Sequence, residues 1–140
     1  MSTEANKSAV RRGFEQGMNK RNPSVWDEVL APSYVNHDMP TPAPGPAGMK
    51  QVLAMFTEAF PDMLITLHDV IGEGDKVATR GSWKGTHKGA FMGVPATGKS
   101  VEVKFIDWWR LENGKAVENW VAMDMLGLMQ QLGVVPAPGR

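Results

Sequence analysis

Apolar residues in this chain recur with a helical period up to about residue 60 and alternate like strands after it. From about Glu4 to Asn19, Val10, Phe14 and Met18 repeat every four positions beside Ala5 and Ala9, which predicts a helix. Pro23 follows a break at Asn22. Ser24 with Asp27 three positions on resembles a capping box, opening a short second helix whose apolar side is Trp26, Val29 and Leu30. Tyr34 to Asp38 predicts a short strand, and the four prolines between Met39 and Gly48 predict a loop. A third helix is expected from about Ala47 to Phe60, buried along Met49, Val52, Leu53, Phe56 and Phe60 and ended by Pro61. Met63 to Ile71 alternates as a strand, and Gly72-Glu73-Gly74-Asp75 turns it back into a second one, Lys76 to Trp83. Gly85 to Lys99 reads as a glycine-rich loop. Two long strands from Val101, a closing helix over Met125–Leu132 stopped by Gly133, and a loose tail from Val134 complete the chain. Helices followed by a meander of strands predict a single α+β domain spanning residues 1–140.

The hairpin from Val101 to Met123 organises the rest. Asn113-Gly114 marks its turn, because both residues tolerate positive φ. A two-residue turn pairs Leu111 with Ala116, whereas a glycine bulge at Gly114 pairs Leu111 with Lys115. The bulge sorts the side chains more cleanly and is the expected register. It gathers Val103, Phe105, Trp109, Val117, Val121 and Met123 on one face, where Asp107 and Asn119 are the only polar members. Lys104, Trp108, Arg110, Glu118, Trp120 and Asp124 fall on the other. The second, polar-aromatic face is the expected pocket wall.

Composition narrows the function. With 140 residues the chain can bury a real core. Fifteen basic residues balance fifteen acidic ones, so no basic field for nucleic acid is implied. The absence of cysteine excludes disulfides and thiolate metal sites. The polar N-terminus lacks a signal-peptide run, no apolar stretch approaches a membrane span, and a cytoplasmic location is expected. Three histidines on separate elements argue against a zinc site. Gly93 to Ser100, GVPATGKS, satisfies the P-loop pattern, but that motif needs a helix after the loop to hold phosphate. Here the following residues alternate as a strand, so the segment is expected to be a plain connection.

Several segments in order resemble the SnoaL-like polyketide cyclase family of the NTF2-like superfamily. They are Val35-Asn36-His37-Asp38, Gly85-Thr86-His87-Lys88-Gly89 with Pro95-Ala96-Thr97-Gly98-Lys99, and Ile106-Asp107-Trp108-Trp109-Arg110-Leu111 before Asn113-Gly114-Lys115. Glu118-Asn119-Trp120, Asp124 and Gln131-Leu132-Gly133 follow. The resemblance implies an NTF2-like cone, a curved and mostly antiparallel sheet with N-terminal helices enclosing a pocket. It implies ester-cyclase chemistry by aldol condensation without a metal or organic cofactor. It matches Asp124 to the family's acid/base aspartate near the end of the last strand. Two pocket positions on the preceding strand fall on or near Trp108 and Arg110, where anthracycline cyclases carry glutamine and histidine.

Candidate catalytic residues are therefore Asp124 and His37. Candidate substrate-binding residues are Trp108, Arg110, Trp120, Phe56 and Phe60. Each has a plainer role open to it: Asp124 as a helix N-cap, Arg110 as an ion-pair partner of Glu118, the aromatics as packing. The expected ligand is a small hydrophobic or aromatic carbonyl compound. The competing functions are an epoxide hydrolase-like or ketosteroid isomerase-like enzyme in the same pocket, or a non-catalytic ligand-binding or dimerisation module. A deep cavity with Asp124 and Arg110 facing inward distinguishes the enzyme from the scaffold. The apolar hairpin face, left over by this assignment, is expected to bury itself in a homodimer.

Overall fold

The computed structural model describes residues 2–39 and 43–136. Helix α1 (Thr3–Arg12) runs into a π-helix (Gly13–Asn19), followed by α2 (Ser24–Val29), β1 (Leu30–Asn36) and α3 (Gly45–Ala59). Strands β2 (Leu64–Glu73), β3 (Lys76–Thr86), β4 (Ser100–Glu112) and β5 (Lys115–Met123) then lead to α4 (Met125–Leu132). The five strands form one sheet in the order β1-β5-β4-β3-β2, with β1 parallel to β5 and the other pairs antiparallel. The α+β expectation holds, and Ser100 opens a strand rather than a helix, so the P-loop pattern lacks its phosphate-binding element.

The first helix departs from the expected α geometry. Lys20 N–H donates to the Glu15 carbonyl, a π-type bond five residues back. The wider turn opens over Gly13 and Gly17, onto which the fully buried Trp26 indole packs. A Cβ on Gly13 would lie 2.9 Å from that ring, and one on Gly17 2.6 Å. Asn19 then grips the β2 edge with both ends of its amide, donating to the Ile65 carbonyl at 2.8 Å and accepting from its N–H at 2.7 Å. Ser24 does not cap α2 with its side chain, because its hydroxyl bonds Asn22 Oδ1 at 2.7 Å. The tail residues 137–140 and the loop residues 40–42 lie outside the described residues.

The hairpin register corrects the expected one. Leu111 pairs with Ala116 and Glu112 with Lys115, around a two-residue turn with φ of 51° at Asn113 and 79° at Gly114. Both positive angles suit the Asn-Gly turn, so no bulge is needed there. The extra residue sits further on: Arg110 already pairs with Glu118, leaving Val117 unmatched. This shift restores the sorting of faces that argues for a bulge, three residues beyond the expected position at Gly114.

The two faces also exchange roles. Phe105, Asp107 and Trp109 point inward beneath the helices, whereas Ile106, Trp108 and Trp120 stand in solvent. The reason is the apolar stripe of the helices themselves. Phe14 stacks on Phe105 at 5.7 Å and meets Trp109 edge-on at 5.9 Å, so apolar surface covers apolar surface and the charged face stays hydrated.

Candidate active site

The inward face of the sheet, the π-helix and α3 enclose a narrow cavity of about 60 Å³. Five methionines (Met18, Met39, Met49, Met63, Met123) and aromatic groups including Phe14, Phe56, Phe105 and Trp109 make up most of its wall. The only polar side chains lining it among the described residues are Asn36, Asp107 and Asn119. The space holds roughly four water-sized volumes. A multi-ring ligand must therefore displace the wall, and unbranched methionines can change rotamer to allow it.

Asp107 is the charge in this apolar setting. It is 5% exposed, its Oδ1 is buried without a hydrogen-bond partner, and burial pushes its carboxyl up to about 7. An ionised carboxylate loses hydration here and gains no cation in exchange, so the neutral acid survives to unusually high pH. Thr79 lies directly opposite on β3, and its buried hydroxyl also lacks a partner.

Two hydrogen-bonded groups accompany Asp107. Asn36 Oδ1 accepts from the N–H groups of Asp38 and Met39 at 3.0 and 2.9 Å. The fully buried Tyr34 donates its hydroxyl to Asn119 Oδ1 at 2.7 Å. Burial, and then the Asp107 charge, hold the Tyr34 phenol well above its ordinary range, offset in part by a hydrogen bond from Asn36. Tyr34 therefore stays a neutral donor. Among the described residues no three His, Asp or Glu side chains converge as metal ligands, and no helix is long and apolar enough to cross a membrane.

The sequence model of the SnoaL-like polyketide cyclases matches residues 8–132. The chain belongs to this family. Among solved structures, TsrD of Streptomyces laurentii is 28% identical at a TM-score of 0.88, with 96% of this chain and 99% of that one covered. IdmH of Streptomyces antibioticus, a candidate polyketide cyclase, is 32% identical at 0.78, covering 91% and 98%. AclR of Streptomyces galilaeus, a candidate hydroxylase, is 27% identical at 0.84, covering 99% and 87%. A search of curated proteins found no match.

This SnoaL-like chain does not gather the residues that the sequence singled out into one pocket. Phe56 is on the cavity wall, while Phe60 is sealed in the core against Trp83 at 4.9 Å and His87 at 5.3 Å. Trp108, Arg110 and Trp120 lie on the outer face, opposite the cavity. There Arg110 engages Glu118 and, at 2.7 Å, Glu112. His37 stacks on Trp120 at 4.8 Å and sets Nε2 2.8 Å from Glu118 Oε1. Arg110 and then His37 hold the Glu118 carboxyl below the usual carboxylate range. The assignment of this face to the pocket is thus overturned by the helices, which cover the other one.

Asp124 is exposed and accepts from Gly127 N–H at 2.9 Å as the N-cap of α4. A Cβ on Gly127 would fall 2.2 Å from its carboxylate, so the glycine makes room for the cap. Asp124→Asn, which keeps the accepting oxygen, is expected to leave thermal stability nearly unchanged. Asp124→Ala is expected to lose about 1 kcal/mol in chemical denaturation.

The sequence had marked Asp107 and Asn119 as the sole polar members of an apolar face without reading them as the site. A carboxylate at an apolar strand position was the available signal, because burying one unpaired is costly enough to need a reason.

Proposed function

We propose that this protein is an acid–base enzyme of the polyketide-cyclase type acting on an uncharged carbonyl compound, with Asp107 as the proton carrier and no bound cofactor required. The observation that carries this reading is a buried carboxyl, its Oδ1 without a hydrogen-bond partner, at the wall of an apolar cavity, where burial pushes it up to about 7. Such a group can take a proton alpha to a carbonyl and return one near neutral pH, the step that opens an aldol condensation. No cationic side chain lines the cavity among the described residues, which disfavours an anionic substrate. A double-bond shift uses the same proton transfer, whereas epoxide opening gains from a second carboxyl, and among the described residues the cavity wall has one.

Acetophenone tests the reading without knowledge of the natural substrate. Wild-type protein in D2O should accelerate exchange of its methyl hydrogens, and Asp107→Asn should not. Equal exchange by both proteins would remove Asp107 from the role.

We also infer a homodimer, on a different face from the one the sequence suggested. The apolar face meant for a partner is occupied by the helices. Across the outer face, Ile71, Ala78, Trp108 and Trp120 pair in one row over four strands, with Ile71 65% and Trp108 48% exposed. Lys76, Arg80 and Arg110 flank that stripe together with Asp69 and Glu118, so a two-fold copy can oppose unlike charges around an apolar centre. Sedimentation at micromolar concentration should show a dimer, and Trp108→Glu should shift it to monomer.

A further inference from the structure

We infer that Asn119 is the donor that holds the substrate's carbonyl oxygen, and that Tyr34 is the positioning residue that fixes its amide for this task; the inference rests on the proposed proton transfer at Asp107. A side-chain amide has two ends of nearly equal shape, and which one faces a ligand is decided by its neighbours. Here Tyr34 makes the decision. The buried Tyr34 hydroxyl donates to Asn119 Oδ1 at 2.7 Å, which pins the oxygen end of that amide. The Asn119 NH2 group must then take the remaining orientation. Among the described residues its sole partner is the Trp120 carbonyl at a weak 3.5 Å, and Asn119 lines the cavity.

Asn119 and Asp107 occupy the same face of neighbouring strands, opposite Trp109 and Val121 respectively. Diagonal positions of this kind lie about 7–8 Å apart along the backbone, within reach of two polar side chains acting on one small molecule. The step is balanced. A C–H bond alpha to the carbonyl breaks and its proton moves to an Asp107 oxygen. The electron pair forms a C=C bond while the carbonyl π pair moves to oxygen, where Asn119 N–H meets the new charge. Donors already aimed where charge develops contribute without reorganising. Return of the proton to carbon, or attack of the enolate carbon on a second carbonyl, discharges the site.

Carbonyl-labelled acetophenone is the probe, with two separate readouts. Infrared spectroscopy of the bound ketone reports the donor, and methyl-hydrogen exchange in D2O reports Asp107. Wild type should give one carbonyl band shifted to lower frequency. Asn119→Leu should lose the shift and slow exchange by about 10²–10³-fold. Tyr34→Phe frees the amide to flip. It should give a second, less shifted band and slow exchange about tenfold, the effect of one hydrogen bond. Should Asn119→Leu not fold, Tyr34→Phe decides the matter. A single unchanged band in Tyr34→Phe overturns this inference even if Asp107→Asn abolishes exchange. Normal exchange in Asp107→Asn overturns the parent reading instead. Absence of acetophenone binding to wild type overturns both.

Discussion

Asp107→Asn is expected to make the protein more stable above neutral pH while removing its proton-transfer activity. The carboxyl is pushed from an ordinary value of 3.8 to about 7 by burial. Between these values the folded state keeps a proton that the unfolded chain has released, so stability falls as pH rises across that interval. Below it both states are protonated and burial carries no charge penalty. Above it both are ionised and the full penalty, about 4 kcal/mol, is present. Asparagine matches the shape of the neutral acid and cannot ionise. The difference in Tm between variant and wild type should therefore be small at pH 4, grow through pH 7 and level off above it, as a series of thermal melts would show. Exchange or turnover should fall by about 10²–10⁴-fold, the usual loss of one general acid/base. A residue kept solely for packing would not set stability against activity in this way.

Trp26→Ala is expected to cost about 3–5 kcal/mol in urea unfolding, the range for deleting a large buried aromatic. The indole is 2% exposed and fills the groove over Gly13 and Gly17 of the π-helix. The loss should reach the cavity, because the same helix carries Phe14 and Met18 on the cavity wall. Gly17→Ala approaches the contact from the other side. Its new methyl would lie 2.6 Å from the ring, so the packed helix must shift, at about 1–3 kcal/mol. If α1 continued as a regular helix without this close packing, the glycine variant would instead gain helix propensity and stabilise the protein.

Much of the fold was legible because its signals are local. Proline and glycine breaks bounded the helices, alternation marked the strands, and Asn113-Gly114 marked the turn. The resemblance reached the family through short segments whose order survives even where the pocket residues differ. Misreadings arose where a local pattern had two outcomes of similar merit. Side-chain sorting required an extra residue in the hairpin but did not say whether it sat at Gly114 or at Val117. A stripe of Val10, Phe14 and Met18 suits either an α- or a π-helix until Trp26 packs against it.

Local patterns along the chain specify most of its elements, their order, the family, and the division of the hairpin into an apolar and a polar-aromatic face. Period and turn chemistry act between near neighbours, and near neighbours are what a sequence displays. Which face turns inward, and with it the site, depends on packing between distant segments. Helices with apolar stripes settle on the apolar face, since that removes the most hydrocarbon from water. Asp107 and Asn119 are carried inside with it, while Trp108, Arg110, Trp120 and His37 are left outside. The carboxyl's elevated titration follows from that enclosure, and no spacing along the chain could have shown it.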